Sequence, residues 1–161
     1  MDWKTLFLNA NGRIGQKDFW IGFAILFVVG FILGLIPVIG QLASIILLFP
    51  WVCLYSKRLH DFGKTGWLVL VPIGVVLVAT VIAAMTGGMA MLAGAGAGDA
   101  GAATAAMAGL GTMGLVMIVA LLVCLGFLLW VGLTKGDPGE NQYGPPPTSL
   151  IGGDATTTPA A

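Results

Sequence analysis

Phe19–Ser56 reads FWIGFAILFVVGFILGLIPVIGQLASIILLFPWVCLYS, a run of 38 residues without one charged side chain. A helix needs about 20 apolar residues to cross roughly 30 Å of hydrocarbon, so this run is long enough for two short spans. Pro37, Gly40 and Gln41 break it near the middle, a combination suited to a tight turn. The expectation is a helical hairpin with spans at about 19–36 and 42–56. The second is short enough to be thin, tilted or only partly spanning, and Pro50 within it is expected to kink it. Gly30 and Gly34 form a GxxxG pair, which permits close helix contact or simply tolerates packing.

The composition agrees. Hydrophobic residues make up 58% of the 161-residue chain and charged residues 9%, against roughly 25% charged in soluble domains. So few ionisable groups cannot cover a water-facing surface, so the solvent for most of this chain is lipid. A net charge of zero argues against nucleic acid as a partner, since neutralising phosphates takes a clustered excess of Lys and Arg. Cys53 and Cys124 lie singly in apolar runs and the chain has one histidine. No metal site and no cofactor are expected from them; the thiols read as small hydrophobes.

Outward from the hairpin, residues 1–18 form an N-terminal segment in which Trp3, Leu6, Phe7 and Ala10 recur at helical spacing. It reads as an amphipathic helix at the membrane interface, with Trp3 at headgroup level and Asn11-Gly12 as its stop. The charged stretch before the first apolar run extends to Asp18, too long for the leading region of a secretory signal. Residues 57–66 form a charged loop. Spans three and four are expected at about 67–86 and 113–133, the latter carrying Trp130, an interfacial residue type. Between them, 87–112 is rich in Gly, Ala and Met with Asp99 its one charge, and reads as a low-complexity loop that has room for partial helix. The membrane domain thus covers 19–147, and 148–161 reads as a disordered tail. The fold class is an all-α membrane protein, a four-helix transmembrane bundle with an interfacial N-terminal helix.

Four spans place Lys4, Arg13, Lys17, Lys57, Arg58, Lys64 and Lys135 on one side and no Lys or Arg on the other. The positive-inside rule makes that side the cytoplasm, with both termini inside, and makes 87–112 periplasmic.

Three segments, GRIGQKDFW (Gly12–Trp20), KRLHDFGKTGW (Lys57–Trp67) and GDPGENQYGPPP (Gly136–Pro147), together resemble the family known as domain of unknown function 805, small bacterial inner-membrane proteins. The resemblance runs from the N-terminus to about Pro147, and RLHD-x-G-x-[ST]-GW is its most specific part. It implies a multi-pass protein of the bacterial inner membrane and brings no activity with it. Gln16 and Gln142 stand where many relatives carry basic residues, and 87–112 is longer than usual.

All three segments fall on the cytoplasmic face, which gathers Arg13, Asp18, Arg58, His60, Asp61, Asn141 and Tyr143 into one candidate cluster where ion pairing strengthens. Arg58 and Asp61 are three apart and share a face if the second helix continues that far. Two readings follow. Arg13 and Arg58 can act as planar donors to an anionic lipid headgroup or small anion, with His60 oriented by Asp61 as a pH-sensitive donor. Alternatively Arg13, Asp18, Arg58 and Asp61 pair with one another and staple the spans together, while Lys57 and Lys64 only set topology. The staple is the expectation, because juxtamembrane charges mostly orient and anchor. Gly63 and Gly66 fit a turn ahead of an interfacial Trp67, and Tyr143 is expected to pack on the membrane surface.

No HExxH, GxSxG or phosphate-loop pattern is present, and adjacent His60 and Asp61 would diverge on a helix. The chain is therefore read as a non-enzymatic structural, binding or regulatory component of the bilayer. The alternatives are a small transporter or channel built as a homo-oligomer, and an enzyme acting on anionic lipid headgroups.

Overall fold

The computed structural model describes residues 3–36, 38–95 and 97–147, the side chains of Trp3 and Ile39 excepted. The expected disordered tail, 148–161, lies outside the described residues, as do Pro37 of the hairpin turn and the Trp3 side chain. Five helices follow one another: α1 (Trp3–Leu8), α2 (Gln16–Gly34), α3 (Ile39–Asp61), α4 (Leu70–Ala95) and α5 (Gly98–Leu133), with a 3-10 turn at Gly66–Val69. Gln16–Gly34, Gly40–Asp61, Gly66–Ala95 and Gly98–Leu133 are each long and apolar enough to cross a membrane. The all-α membrane class is thus the class observed. The helices belong to two compact units, one of Met1–Val69 with Trp130–Ala161, the other of Leu70–Leu129.

In the first unit α2 and α3 form the expected hairpin. Phe19, Gly22 and Leu26, on one helical stripe of α2, are buried, as are Cys53 and Leu54 on α3. The seam is aromatic: Phe19 meets Tyr55 edge-on at 5.3 Å between ring centroids, and Phe23 meets Trp51 at 5.1 Å. Such edge-to-face pairs add about 0.5–1.5 kcal/mol beyond their buried area. Gly30 makes ordinary contact with Leu47, and a side chain at Gly34 would meet open space, so the GxxxG pair is not a site of close approach here.

Two boundaries differ from expectation. At 23 residues, or about 34 Å of helix, α3 is long enough to cross, and it continues through Pro50 to Asp61. Lys57, Arg58, His60 and Asp61 therefore lie on its last turns rather than in a loop. The N-terminal helix stops at Leu8, before Ala10, and Asn9 Oδ1 accepts the Asn11 amide at 2.8 Å just beyond it. Leu6 on α1 is 1% exposed and packs toward Gly22 and Leu54, so this helix is docked on the hairpin.

The second unit replaces the loop expected at 87–112 with helix well beyond the partial helix allowed for it. The segment is helical on both sides of residues 96 and 97: α4 reaches Ala95 and α5 starts at Gly98. The two helices approach through small residues; a methyl group on Gly109 would lie 2.6 Å from Ala90 Cβ, and one on Gly94 would lie 3.3 Å from Ala102 Cα. Thr86, Thr104 and Thr112 turn their hydroxyls back onto the carbonyls of Ile82, Ala100 and Ala108. Glycine disfavours helices in water. In lipid the backbone must satisfy itself internally, and small residues let helices meet closely.

Candidate functional site: a buried polar knot

The first unit ends in a set of polar residues closed off from solvent. Arg58, Asp61, Asp18, Lys57 and Arg13 are 0%, 2%, 1%, 1% and 8% exposed. Its centre is Asp61 on the last turn of α3. One carboxylate oxygen accepts Arg13 Nε and Nη2 at 3.2 and 3.1 Å, and the other pairs with Arg58 Nη1. Arg13 comes from the connection between α1 and α2, whereas Arg58 sits one turn before Asp61 on α3. Gly136 closes over the carboxylate: a methyl group there would fall 2.6 Å from the Asp61 carboxyl carbon.

Carbonyl oxygens take up the rest of both guanidiniums. Arg13 Nη1 donates to Gly139 and Gly144 at 2.7 and 3.1 Å; its Nη2 donates to Asp137 at 2.6 Å and Asp61 at 3.2 Å. Arg58 donates to Val131 at 3.2 Å, to Ile14 at 3.4 Å and to Thr134, with its guanidinium carbon 5.9 Å from the centre of the Phe62 ring. Every nitrogen of the two groups has an acceptor supplied by this chain. Among the described residues no buried side-chain nitrogen or oxygen lacks a partner.

These acceptors follow a rule. The last carbonyls of a helix have no partner inside it and carry the negative end of its dipole. Lys57 Nζ donates to Thr5 and Leu6, closing α1. Arg58 and the Gln16 amide, which donates to Gly132, Leu133 and Thr134 at 3.3, 2.9 and 3.2 Å, close α5. Arg13, the Asp137 amide at 2.8 Å and Asn141 Nδ2 at 3.0 Å close α3 on the Asp61 and His60 carbonyls. Backbone geometry finishes α3. Lys64 N–H reaches Leu59 O at 2.9 Å and Gly63 N–H reaches His60 O at 3.1 Å, with Gly63 at φ +72°, a Schellman cap of the kind glycine supplies.

His60 turns the other way from Asp61. Its Nδ1 lies 3.2 Å from the Gly12 carbonyl, its Nε2 3.4 Å from Ser56 Oγ, and its ring stacks on Tyr143 at 3.8 Å and 9°. A carbonyl only accepts, so Nδ1 carries the proton and Nε2 accepts from Ser56. Tyr143 is held by a tight turn in which Asn141 and Gly144 exchange backbone hydrogen bonds at 3.2 and 2.9 Å and Asn141 Oδ1 accepts the Tyr143 amide at 3.0 Å. Asn141 Nδ2 also reaches Asp137 Oδ2 at 3.0 Å.

Arg13, Arg58, His60, Asp61, Asn141 and Tyr143 therefore converge. Asp18 is buried in the first turn of α2, while both arginines direct their ion pairs to Asp61. Lys57 is a correction: it is buried and tied to α1 rather than serving topology alone. Tyr143 stacks on His60. Sequence reasoning missed the capping role of Gln16 and Lys57. Lys57 had a signal, falling four and three residues after Cys53 and Leu54 on the buried stripe of α3; Gln16 had none.

With four helices among the described residues long and apolar enough to cross a membrane and no strand among them, this is a multi-pass membrane protein. It belongs to the family described as Protein of unknown function (DUF805), which matches residues 7–145. Comparison with curated proteins and with solved structures found no match.

Proposed function

We propose that this protein is a non-catalytic integral component of a bacterial inner membrane, with both termini in the cytoplasm, whose polar knot locks the cytoplasmic ends of α2, α3 and α5. One observation carries this reading: every nitrogen of the two buried guanidiniums already has an acceptor among the chain's own carboxylate and carbonyls. An anion site or a catalytic centre needs donors left over for a ligand. His60 and Asp61 point to different partners, which removes the one acid–base pair that the sequence offered. The positive-inside distribution of seven cations supports the orientation.

Conservative knot variants test the role. In Arg13→Lys, Arg58→Lys and His60→Ala strains, any cellular output of the protein should fall only in step with its folded amount in the membrane. Output lost at full folded abundance would establish a chemical role instead. Reporter fusions after Asp99 and Tyr143 test orientation; a fusion at Tyr143 that is active outside the cytoplasm overturns it. A homo-oligomeric transporter or channel is the second reading, favoured by a groove of about 580 Å³ on the second unit lined by Gly87, Ala90, Gly94, Ala102, Ala106 and Gly109. It requires a defined oligomer and solute flux in liposomes.

A further inference from the structure

The seven cations fall into two sets. Arg13, Lys57 and Arg58 are buried in the knot, whereas Lys4, Lys17, Lys64 and Lys135 are exposed. All four exposed lysines belong to the first unit, and each lies beside an element that the knot ties down. Lys17 follows Gln16, whose amide holds the end of α5; Lys135 follows Thr134, an acceptor for both Gln16 and Arg58. Lys64 supplies the amide that closes α3, and Lys4 is on α1, whose last carbonyls Lys57 holds. Nearby carboxylates offset them only in part: Asp61 is consumed by the arginines and Asp137 is half-buried and engaged by Asn141, which leaves Glu140 as an exposed anion against four exposed lysines. Three residues beyond Lys64, Trp67 is 77% exposed.

We propose that this rim of lysines, with Trp67, binds anionic lipid headgroups. The ammonium groups neutralise the phosphodiester charge, and the Trp67 indole, apolar with one N–H, suits the boundary between headgroup and acyl chain. The source is lipid rather than free phosphate, because the lysines lie on or within a few residues of helix ends and an exposed indole contributes nothing to a small hydrated anion. Neither guanidinium takes part, so this inference goes beyond the staple and stands or falls apart from it.

The test is native mass spectrometry of the intact, delipidated protein offered equimolar phosphatidylglycerol and phosphatidylcholine with identical acyl chains. Phosphatidylglycerol should be retained in preference, each lysine contributing about fivefold at low ionic strength. Replacing all four lysines by Gln should bring the two lipids to parity, and replacing them by Arg should keep the preference. Should the Gln variant fail to insert, high salt applied to the unaltered protein must abolish the preference, since exposed charges are screened. Equal retention of both lipids by the unaltered protein, a preference that survives high salt, or its displacement by inorganic phosphate but not by sodium chloride at the same low ionic strength would each overturn the proposal.

Discussion

Asp61→Asn is the substitution that asks most of the knot. It preserves the shape of the side chain, removes one negative charge, and replaces a carboxylate oxygen with an amide that can only donate. Both guanidiniums then keep their backbone acceptors: Gly139, Gly144, Asp137 and the Asp61 carbonyl for Arg13, and Val131, Ile14 and Thr134 for Arg58. What they lose is the anion that neutralises two groups 8% and 0% exposed. Breaking a buried pair by removing one partner costs about 3–5 kcal/mol, chiefly from the stranded charge. The surviving carbonyl contacts place this case near the lower end, about 3 kcal/mol, a shift of roughly a hundredfold in the unfolding equilibrium. Equilibrium unfolding in mixed micelles, followed by loss of tertiary fluorescence and helicity, measures it. A double-mutant cycle with Arg13→Gln should return a coupling of about 1 kcal/mol or more, since the two residues share one hydrogen-bond network. An Asp61→Asn protein within about 0.5 kcal/mol of the parent, or strictly additive losses in the cycle, would refute the claim that this carboxylate holds the helix ends together.

Three further outcomes are expected. Gly63→Ala forces a β-carbon onto φ +72° and should cost about 1–2 kcal/mol, with Gly63→Asn closer to the parent, in the same unfolding assay; equal stability of all three would remove the Schellman cap from the account. Tyr143→Ala should lose about 0.5–1.5 kcal/mol of ring stacking on His60, whereas Tyr143→Phe should keep it; identical losses in both would show that stacking is not what holds the turn. At 36 residues, α5 is about 54 Å long, too long for a core of about 30 Å even at a tilt of about 40°. On the order of ten of its residues should therefore stand outside the hydrocarbon. Cysteines placed at Ala100 or Ala103 should react with a membrane-impermeant maleimide while one at Leu121 does not, and amides in 98–112 should exchange slowly, as helix. Protection at Ala100, or fast exchange through 98–112, would contradict this.

The membrane class and the α2–α3 hairpin were legible because they rest on local quantities: the length of a charge-free run, the placing of Pro37 and Gly40, and the near absence of ionisable groups. The cluster at the helix ends was legible only as a gathering of residue types. Its wiring was not, because a carbonyl is present at every position and the sequence does not say which ones a helix end leaves without partners. Residues 87–112 went astray for a related reason: their many glycines disfavour a helix in water, while a facing helix of small residues, with Gly94 against Ala102 and Gly109 against Ala90, offsets that preference. So the chain by itself determined the solvent and the first hairpin. Tertiary structure decided that Asp61 serves two arginines at once and that Lys57 and Gln16 close helices far away in sequence. Arg58 reaches Asp61 from three residues away, but the contacts of Arg13, Lys57 and Gln16 span from 48 to 118 residues, and only folding brings a donor to an acceptor at such a separation.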